Sequence, residues 1–137
     1  MIRAAARSDL PRIFEVRHGT AENRLRDPSR VTDEEVLWYM DYGVFLVAED
    51  EAAIQGFVCA NPQTGYVWAL FVIDGAQGRG CGTALLAAAL ARLRDAGNRQ
   101  AFLSTGAGTR AEGFYASRGW RAVGQNLDGD IVYRIGL

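Results

Sequence analysis

One short segment limits what this chain can become: Gln77-Gly78-Arg79-Gly80-Cys81-Gly82-Thr83. It joins the longest strand-like run, Tyr66–Ile73, to the longest helix-periodic stretch, from about Gly80 to Asp95. Three glycines in five residues remove side chains that would block approach to the backbone. The loop amides and those of the first helical turn can then converge on one point. With the positive end of the helix dipole they make an anion site suited to a phosphate or pyrophosphate. Arg79 adds a permanent charge beside it. A glycine turn that merely connects strand to helix is the plainer alternative. A dinucleotide fingerprint is a poor match, because Thr83 stands where it needs glycine and its sheet would be parallel throughout.

The flanking pattern is not that of a parallel sheet. Val44–Ala48, Ile54–Ala60 and Tyr66–Ile73 are strand-like runs separated by the short turns Glu49-Asp50-Glu51 and Asn61-Pro62-Gln63-Thr64-Gly65. Such spacing predicts an antiparallel meander. Upstream, Ile2–Ala6 predicts a first strand, and Ser8 reads as the N-cap of a helix carrying Leu10, Ile13 and Phe14. Residues 19–30 are polar and without a clear period, a loop or broken helix. Thr32-Asp33-Glu34-Glu35 is a capping box for a second helix with Val36, Tyr39 and Met40 on its apolar face. Downstream of the loop, Leu86, Leu90 and Leu93 share one helix face, and Gly97 sits where a C-terminal glycine belongs. Ala101–Ser104 predicts a strand, Thr109–Ser117 a helix, and Trp120–Val123 and Ile131–Ile135 two further strands. The order β-α-α-β-β-β-α-β-α-β-β describes one α/β domain over 1–137, with a mixed, mostly antiparallel central sheet flanked by helices.

Composition excludes several chemistries. All 15 basic residues are arginine, so a Walker A lysine and a Schiff-base lysine are both missing. His18 is the one histidine, which rules out a multi-histidine zinc site, and no metal is expected. A net charge of −1 gives no footprint for nucleic acid. The apolar runs are too short for a membrane span, and the N-terminus lacks the apolar stretch of a secretory signal. Cys59 and Cys81 fit neither a disulfide framework nor a metal spacing. A reduced, cytoplasmic setting is therefore expected.

Gln77-x-x-Gly80-x-Gly82, placed after an apolar strand ending Leu70-Phe71-Val72 and before a helix, resembles motif A of the GNAT superfamily of acyl-CoA-dependent N-acyltransferases. Ala111-Glu112-Gly113-Phe114-Tyr115-Ala116-Ser117-Arg118-Gly119-Trp120 resembles its motif B, A-x-x-F-Y-x-x-x-G-F. The resemblance implies a single-domain GNAT fold and acetyl-CoA as cosubstrate. It implies pyrophosphate contacts from Gln77, Gly78, Arg79, Gly80, Gly82 and Thr83. Cys81 belongs to the same cofactor-binding segment, its side chain read as a small packed group. It further implies that the pantetheine arm pairs with the backbone around Phe71 and Val72, at a bulged, splayed strand whose amide polarises the thioester carbonyl. Tyr115 would protonate the leaving thiolate; a core aromatic beside Phe114 is the competing reading.

The general base is not evident. Family members often carry a glutamate on the strand before the loop, but Tyr66-Val67-Trp68-Ala69-Leu70-Phe71-Val72 holds no acid. Glu22 is the candidate, against a solvated surface carboxylate; His18 has suitable chemistry against a structural role. Gly108 stands where motif B often has Asn, and Arg110 is either a phosphate contact or a solvent-facing charge. Trp38, Tyr39, Tyr66 and Trp68 either line an acceptor pocket or belong to the core, Trp68 being the best placed for the pocket. The implied activity is acetyl transfer to a primary amine, with a small molecule favoured over a peptide or protein. The rivals are an acyl-CoA-binding module without turnover and a nucleotide-binding protein using the same loop, the latter disfavoured by the absent lysine. The resemblance implies dimerisation through the C-terminal strands, as family members often show, which makes Ile131–Leu137 a candidate interface. Glu22→Gln is expected to reduce or shift the pH–rate profile of amine acetylation; a profile like the native one would leave water as the base.

Overall fold

The structure is a computed structural model that describes residues 1–19, 32–51, 53–76 and 78–137. Their elements run β1 (Ile2–Ala4), α1 (Leu10–Gly19), α2 (Asp33–Tyr42), β2 (Val44–Glu49), β3 (Ile54–Asn61), β4 (Tyr66–Val72), α3 (Cys81–Asp95), β5 (Gln100–Thr105), α4 (Arg110–Ala116), β6 (Arg121–Gln125) and β7 (Ile131–Gly136). The order is the one the sequence predicts, with boundaries moved by a residue or two.

Local signals account for most of the boundaries. Thr32 Oγ1 accepts from the Glu35 amide at 3.2 Å and Glu35 Oε1 accepts from the Thr32 amide at 3.4 Å, the reciprocal capping box that starts α2. Gly97 closes α3 with φ of 100°, donating to Arg94 O while Asn98 donates to Leu93 O. Ser8 is not the expected N-cap. It lies inside a 3-10 turn, Arg7–Asp9, whose N-cap position is Ala6, and Asp9 Oδ2 accepts from the Ala6 amide at 2.7 Å. Arg3 holds both Asp9 oxygens, at 2.8 and 2.9 Å, and fixes the carboxylate at that turn. The same guanidinium reaches Glu49 at the end of β2, at 2.8 and 3.1 Å.

Seven strands form one sheet in the order β1-β2-β3-β4-β5-β7-β6. All pairings are antiparallel except β4 with β5. One face carries α1 and α2, packed through Ile13, Val16, Val36 and Tyr39 on Phe45, Val47, Phe57 and Ala69. The other carries α3, whose Leu85, Leu86, Ala89 and Leu93 are buried on Leu46, Val58, Val67 and Ala101. Each buried leucine contributes about 2 kcal/mol, so the α3 face alone anchors the helix firmly. The strand β7 is paired on both sides, and the sheet's edges are β1 and β6. A strand-to-strand contact at the candidate interface Ile131–Leu137 would therefore have to use β6 instead.

The Arg3 cluster sets an acid limit on stability. Hydrogen bonding and charge from Arg3 hold the Asp9 and Glu49 carboxyls below their usual range. The unfolded chain takes up these protons near pH ~4 and the folded chain only at lower pH. The contribution is thus complete above that value and disappears as pH falls through the lowered values. Arg3→Met is expected to reduce the melting temperature at pH 7 and to flatten its fall between pH 5 and 3 (both about), followed by circular dichroism.

Candidate active site

The site is organised by the parallel junction of β4 and β5. β4 and β5 share a single registered pair, Tyr66 with Phe102, at their N-terminal ends, and then part. Ile73 donates to Gln55 O at 2.9 Å, so its backbone and that of Phe71 face β3. By strand alternation the backbone groups of Leu70 and Val72 face the gap. Of the two residues expected beside the pantetheine arm, Val72 presents its main chain to the gap and Phe71 does not.

A bulge lies just upstream. Cys59 pairs with Ala69 and Ala60 with Val67, which leaves Trp68 as an extra residue on β4. Trp68 and Ala69 consequently lie on the same face, toward α1 and α2. There Trp68 stacks on Tyr39 with centroids 4.7 Å apart and planes 11° apart, and Trp38 meets Tyr39 edge-on at 4.9 Å. Tyr66 packs instead with Phe102 at the β4–β5 junction, 5.1 Å between centroids.

At the end of β4 the chain passes through a 3-10 turn, Asp74–Ala76, into the glycine loop. Gly78 and Gly80 both adopt φ of 83°, a left-handed conformation that disfavours any Cβ, and an added Cβ at either would meet nothing within 4 Å. Gly80 is the N-cap of α3 and supplies no side-chain cap, and no acid occupies the first turn. The first intrahelical bond runs from Ala84 to Gly80 O. The amides of Cys81, Gly82 and Thr83 therefore lack intrahelical acceptors and point outward from the helix end. Arg79 is exposed in the turn. Cys81 is half-buried, and desolvation pushes its thiol up, away from the thiolate form a nucleophile needs. Gln77 lies outside the described residues, as does Glu22.

Helix α4 crosses in front of this loop. Tyr115 is 7% exposed, with ring neighbours Phe114, Trp120 and Tyr133 at 5.1, 5.6 and 6.4 Å. Tyr133 was not singled out from the sequence. Its hydroxyl donates to Glu112 Oε1 at 2.9 Å, and that bond pushes the phenol up from its usual range. With its proton engaged by a carboxylate, the Tyr133 phenol is a weaker acid than a solvated one. The other Glu112 oxygen accepts from the Gly108 amide at 2.7 Å, so this glutamate serves the helix start where the motif often has Asn. Trp120, in place of the motif's Phe, buries an indole Nε1 that has no acceptor among the described residues.

The sequence reading also passed over Arg118. Its guanidinium lies over the Phe114 ring, 3.7 Å from the centroid, and donates to Thr83 Oγ1 from Nε at 3.0 Å and from Nη2 at 2.8 Å. Phe114 in turn abuts Gly82, where an added Cβ would lie 3.6 Å from the ring. The available signal was the spacing of Phe114 and Arg118 at i and i+4, which places a cation over an aromatic on one helix face. Its partner Thr83 is 35 residues away, and no local pattern announces it.

On the opposite face, His18 is exposed at the end of α1 with its ring nitrogen 2.9 Å from Arg17 Nη2. Arg17 is buried and reaches Asp33 Oδ1 at 2.7 Å. The exposed Arg110 begins α4. Among the described residues no three His, Cys, Asp or Glu side chains cluster as a metal site, and no helix is long and apolar enough to cross a membrane.

At this end of the sheet the parting of β4 and β5 leads to an amide-lined glycine loop with an aromatic helix across it, and the family match identifies the chain as an acyl-CoA-dependent N-acetyltransferase. The profile of the family described as "Acetyltransferase (GNAT) domain" matches residues 28–132, and the chain belongs to that family. No curated protein matches it. Solved structures share the fold at low identity. PaiA N-acetyltransferase from Thermoplasma acidophilum, in complex with coenzyme A, is 14% identical with a TM-score of 0.81, covering 100% of this chain and 98% of its own. A GNAT-family acetyltransferase from Staphylococcus aureus Mu50 is 20% identical with a TM-score of 0.83, covering 100% and 98%. Ribosomal-protein-alanine N-acetyltransferase from Brucella melitensis is 22% identical with a TM-score of 0.75, covering 100% and 99%.

Gly80→Val tests the loop. A β-branched residue resists φ of 83°, so the amides behind it turn away from their common point. Losing two amide bonds to a charged ligand, at ~1.5 kcal/mol each, is expected to weaken CoA binding ~100-fold in calorimetry. A folded variant with native affinity would remove the loop from the site.

Proposed function

We propose that this chain transfers the acetyl group of acetyl-CoA to the primary amine of a small molecule, by direct attack through a tetrahedral intermediate. The observation that carries the reading is the convergence of three features at one end of the sheet: the gap-facing backbone of Val72, the uncapped amides of Cys81–Thr83 and the aromatic helix α4. In this reading the loop holds the pyrophosphate, with Gln77, Gly78, Arg79 and Gly80 alongside. The pantetheine arm lies against β4, and a gap-facing amide stabilises the oxyanion. The amine nitrogen bonds to the thioester carbon, the C–S bond breaks, and the thiolate takes its proton from Tyr115. The proton lost by the amine passes to Glu22 or to water. Trp68, moved by the bulge onto the α1–α2 face and stacked on Tyr39, supports a flat apolar wall for the acceptor. A cytoplasmic setting and a homodimer joined through the C-terminal strands belong to the same proposal. The two free cysteines accord with the first, and the solution mass tests the second.

One observation favours a second reading. β4 carries no acid in Tyr66–Val72, the place from which a general base would act, as expected of a CoA-binding module without turnover. Calorimetry with acetyl-CoA, followed by free-thiol detection over a panel of small amines and peptide N-termini, separates the two. Binding with thiol release for a small amine supports the proposal. Release only with peptides makes the acceptor a protein, and binding without release across the panel favours the module. Tyr115→Phe is expected to keep CoA affinity while lowering kcat by ~10²–10⁴-fold. Full activity in that variant would return Tyr115 to a packing role.

A further inference from the structure

We propose that Arg118 is a positioning residue for the CoA diphosphate, acting through the Thr83 hydroxyl. The inference rests on the CoA reading above and extends it to a residue outside the glycine loop. Thr83 is the third residue of α3, so its hydroxyl lies beside the outward-pointing amides of Cys81, Gly82 and Thr83 itself. That hydroxyl accepts two hydrogens from Arg118, from Nε at 3.0 Å and Nη2 at 2.8 Å. A hydroxyl has two lone pairs and one proton. With both lone pairs directed at the guanidinium, its own proton points elsewhere and is polarised by the adjacent charge. Such an O–H is a strengthened donor for an anion seated at the helix end.

Arg118 is held for this task. Nη1 donates to Phe114 O and to Ser117 Oγ, both at 3.0 Å, and the guanidinium plane rests on the Phe114 ring, which itself abuts Gly82. Among the described residues no carboxylate pairs with Arg118, so its charge is not cancelled locally. A cation that merely capped the C-terminal end of α4 would satisfy Phe114 O and need nothing from Thr83. The two bonds across to α3 instead tie the helix that carries Tyr115 to the turn that meets the diphosphate.

The test is calorimetric titration of CoA and of dephospho-CoA into the native protein, Arg118→Met, Arg118→Lys, Thr83→Val and the Arg118→Met/Thr83→Val double variant. Methionine keeps the apolar cover on Phe114 and removes the charge. Arg118→Met is expected to raise Kd for both ligands by a similar ~10–100-fold, with the native-to-variant ratio shrinking in about 0.5 M salt. Arg118→Lys is expected to recover part of the affinity. In the Thr83→Val background the further loss from Arg118→Met is expected to fall below about threefold, as coupled partners require. Native affinity in a folded Arg118→Met, even with a lowered melting temperature, would reduce Arg118 to a helix cap and overturn the proposal. A loss seen with CoA and not with dephospho-CoA would overturn it too, by assigning the charge to the 3′-phosphate. If the native protein binds neither ligand, it is the CoA reading that fails, and Arg118 falls with it.

Discussion

The separation of β4 from β5 is the constraint on which the rest of the structure depends. Parallel neighbours must be joined by a crossover, and here that crossover is α3. The strands meet at Tyr66 and Phe102 and then diverge, so a sheet that is otherwise continuous opens along the later half of β4. An open edge inside a sheet exposes main-chain donors and acceptors, which in most proteins is a liability. Here the edge ends at the glycine loop, so the gap-facing side of β4 and the first-turn amides of α3 lie at the same end of the sheet.

Two features hold this opening in shape. Leu85, Leu86, Ala89 and Leu93 seat α3 on the sheet, which fixes where its N-terminus points. The α4 helix then closes on that N-terminus through Phe114 against Gly82 and Arg118 against Thr83. A helix of seven residues has little intrinsic stability, so these tertiary contacts and the Glu112 bonds at its start are what keep it formed. The position of Tyr115 is set by the same contacts, one residue along from Phe114.

The bulge at Trp68 shows why the far side of the site was harder to read. Strict alternation puts Trp68 in phase with Leu70 and Val72, toward α3. The extra residue reverses that phase and brings Trp68 and Ala69 to the α1–α2 face together. Nothing in Tyr66-Val67-Trp68-Ala69 marks a bulge, because it contains neither the glycine nor the turn residues that usually accompany one. The start of the first helix likewise depends on residues that no local signal joins. Ser8 has the right chemistry, but the 3-10 turn begins one residue earlier, at Arg7, and Asp9 within it is held by Arg3 and by the Ala6 amide.

What the sequence determined by itself was local and chemical. The glycine loop, the capping box at Thr32, the Gly97 terminator and the alternating apolar runs are written in residues close together in the chain. Backbone sterics and short-range hydrogen bonds act at that range. They carry the order of elements, the glycine-rich loop and the pair of motifs that mark the family. Tertiary structure decided what depends on residues far apart. It set which β4 amides face the gap, which face Trp68 occupies, and that the Tyr133 proton is tied to Glu112. It also set where Arg118 puts its charge. Each turns on partners brought together by packing, Cys59 with Ala69, Tyr133 with Glu112 and Arg118 with Thr83, and no periodicity along the chain records such distances.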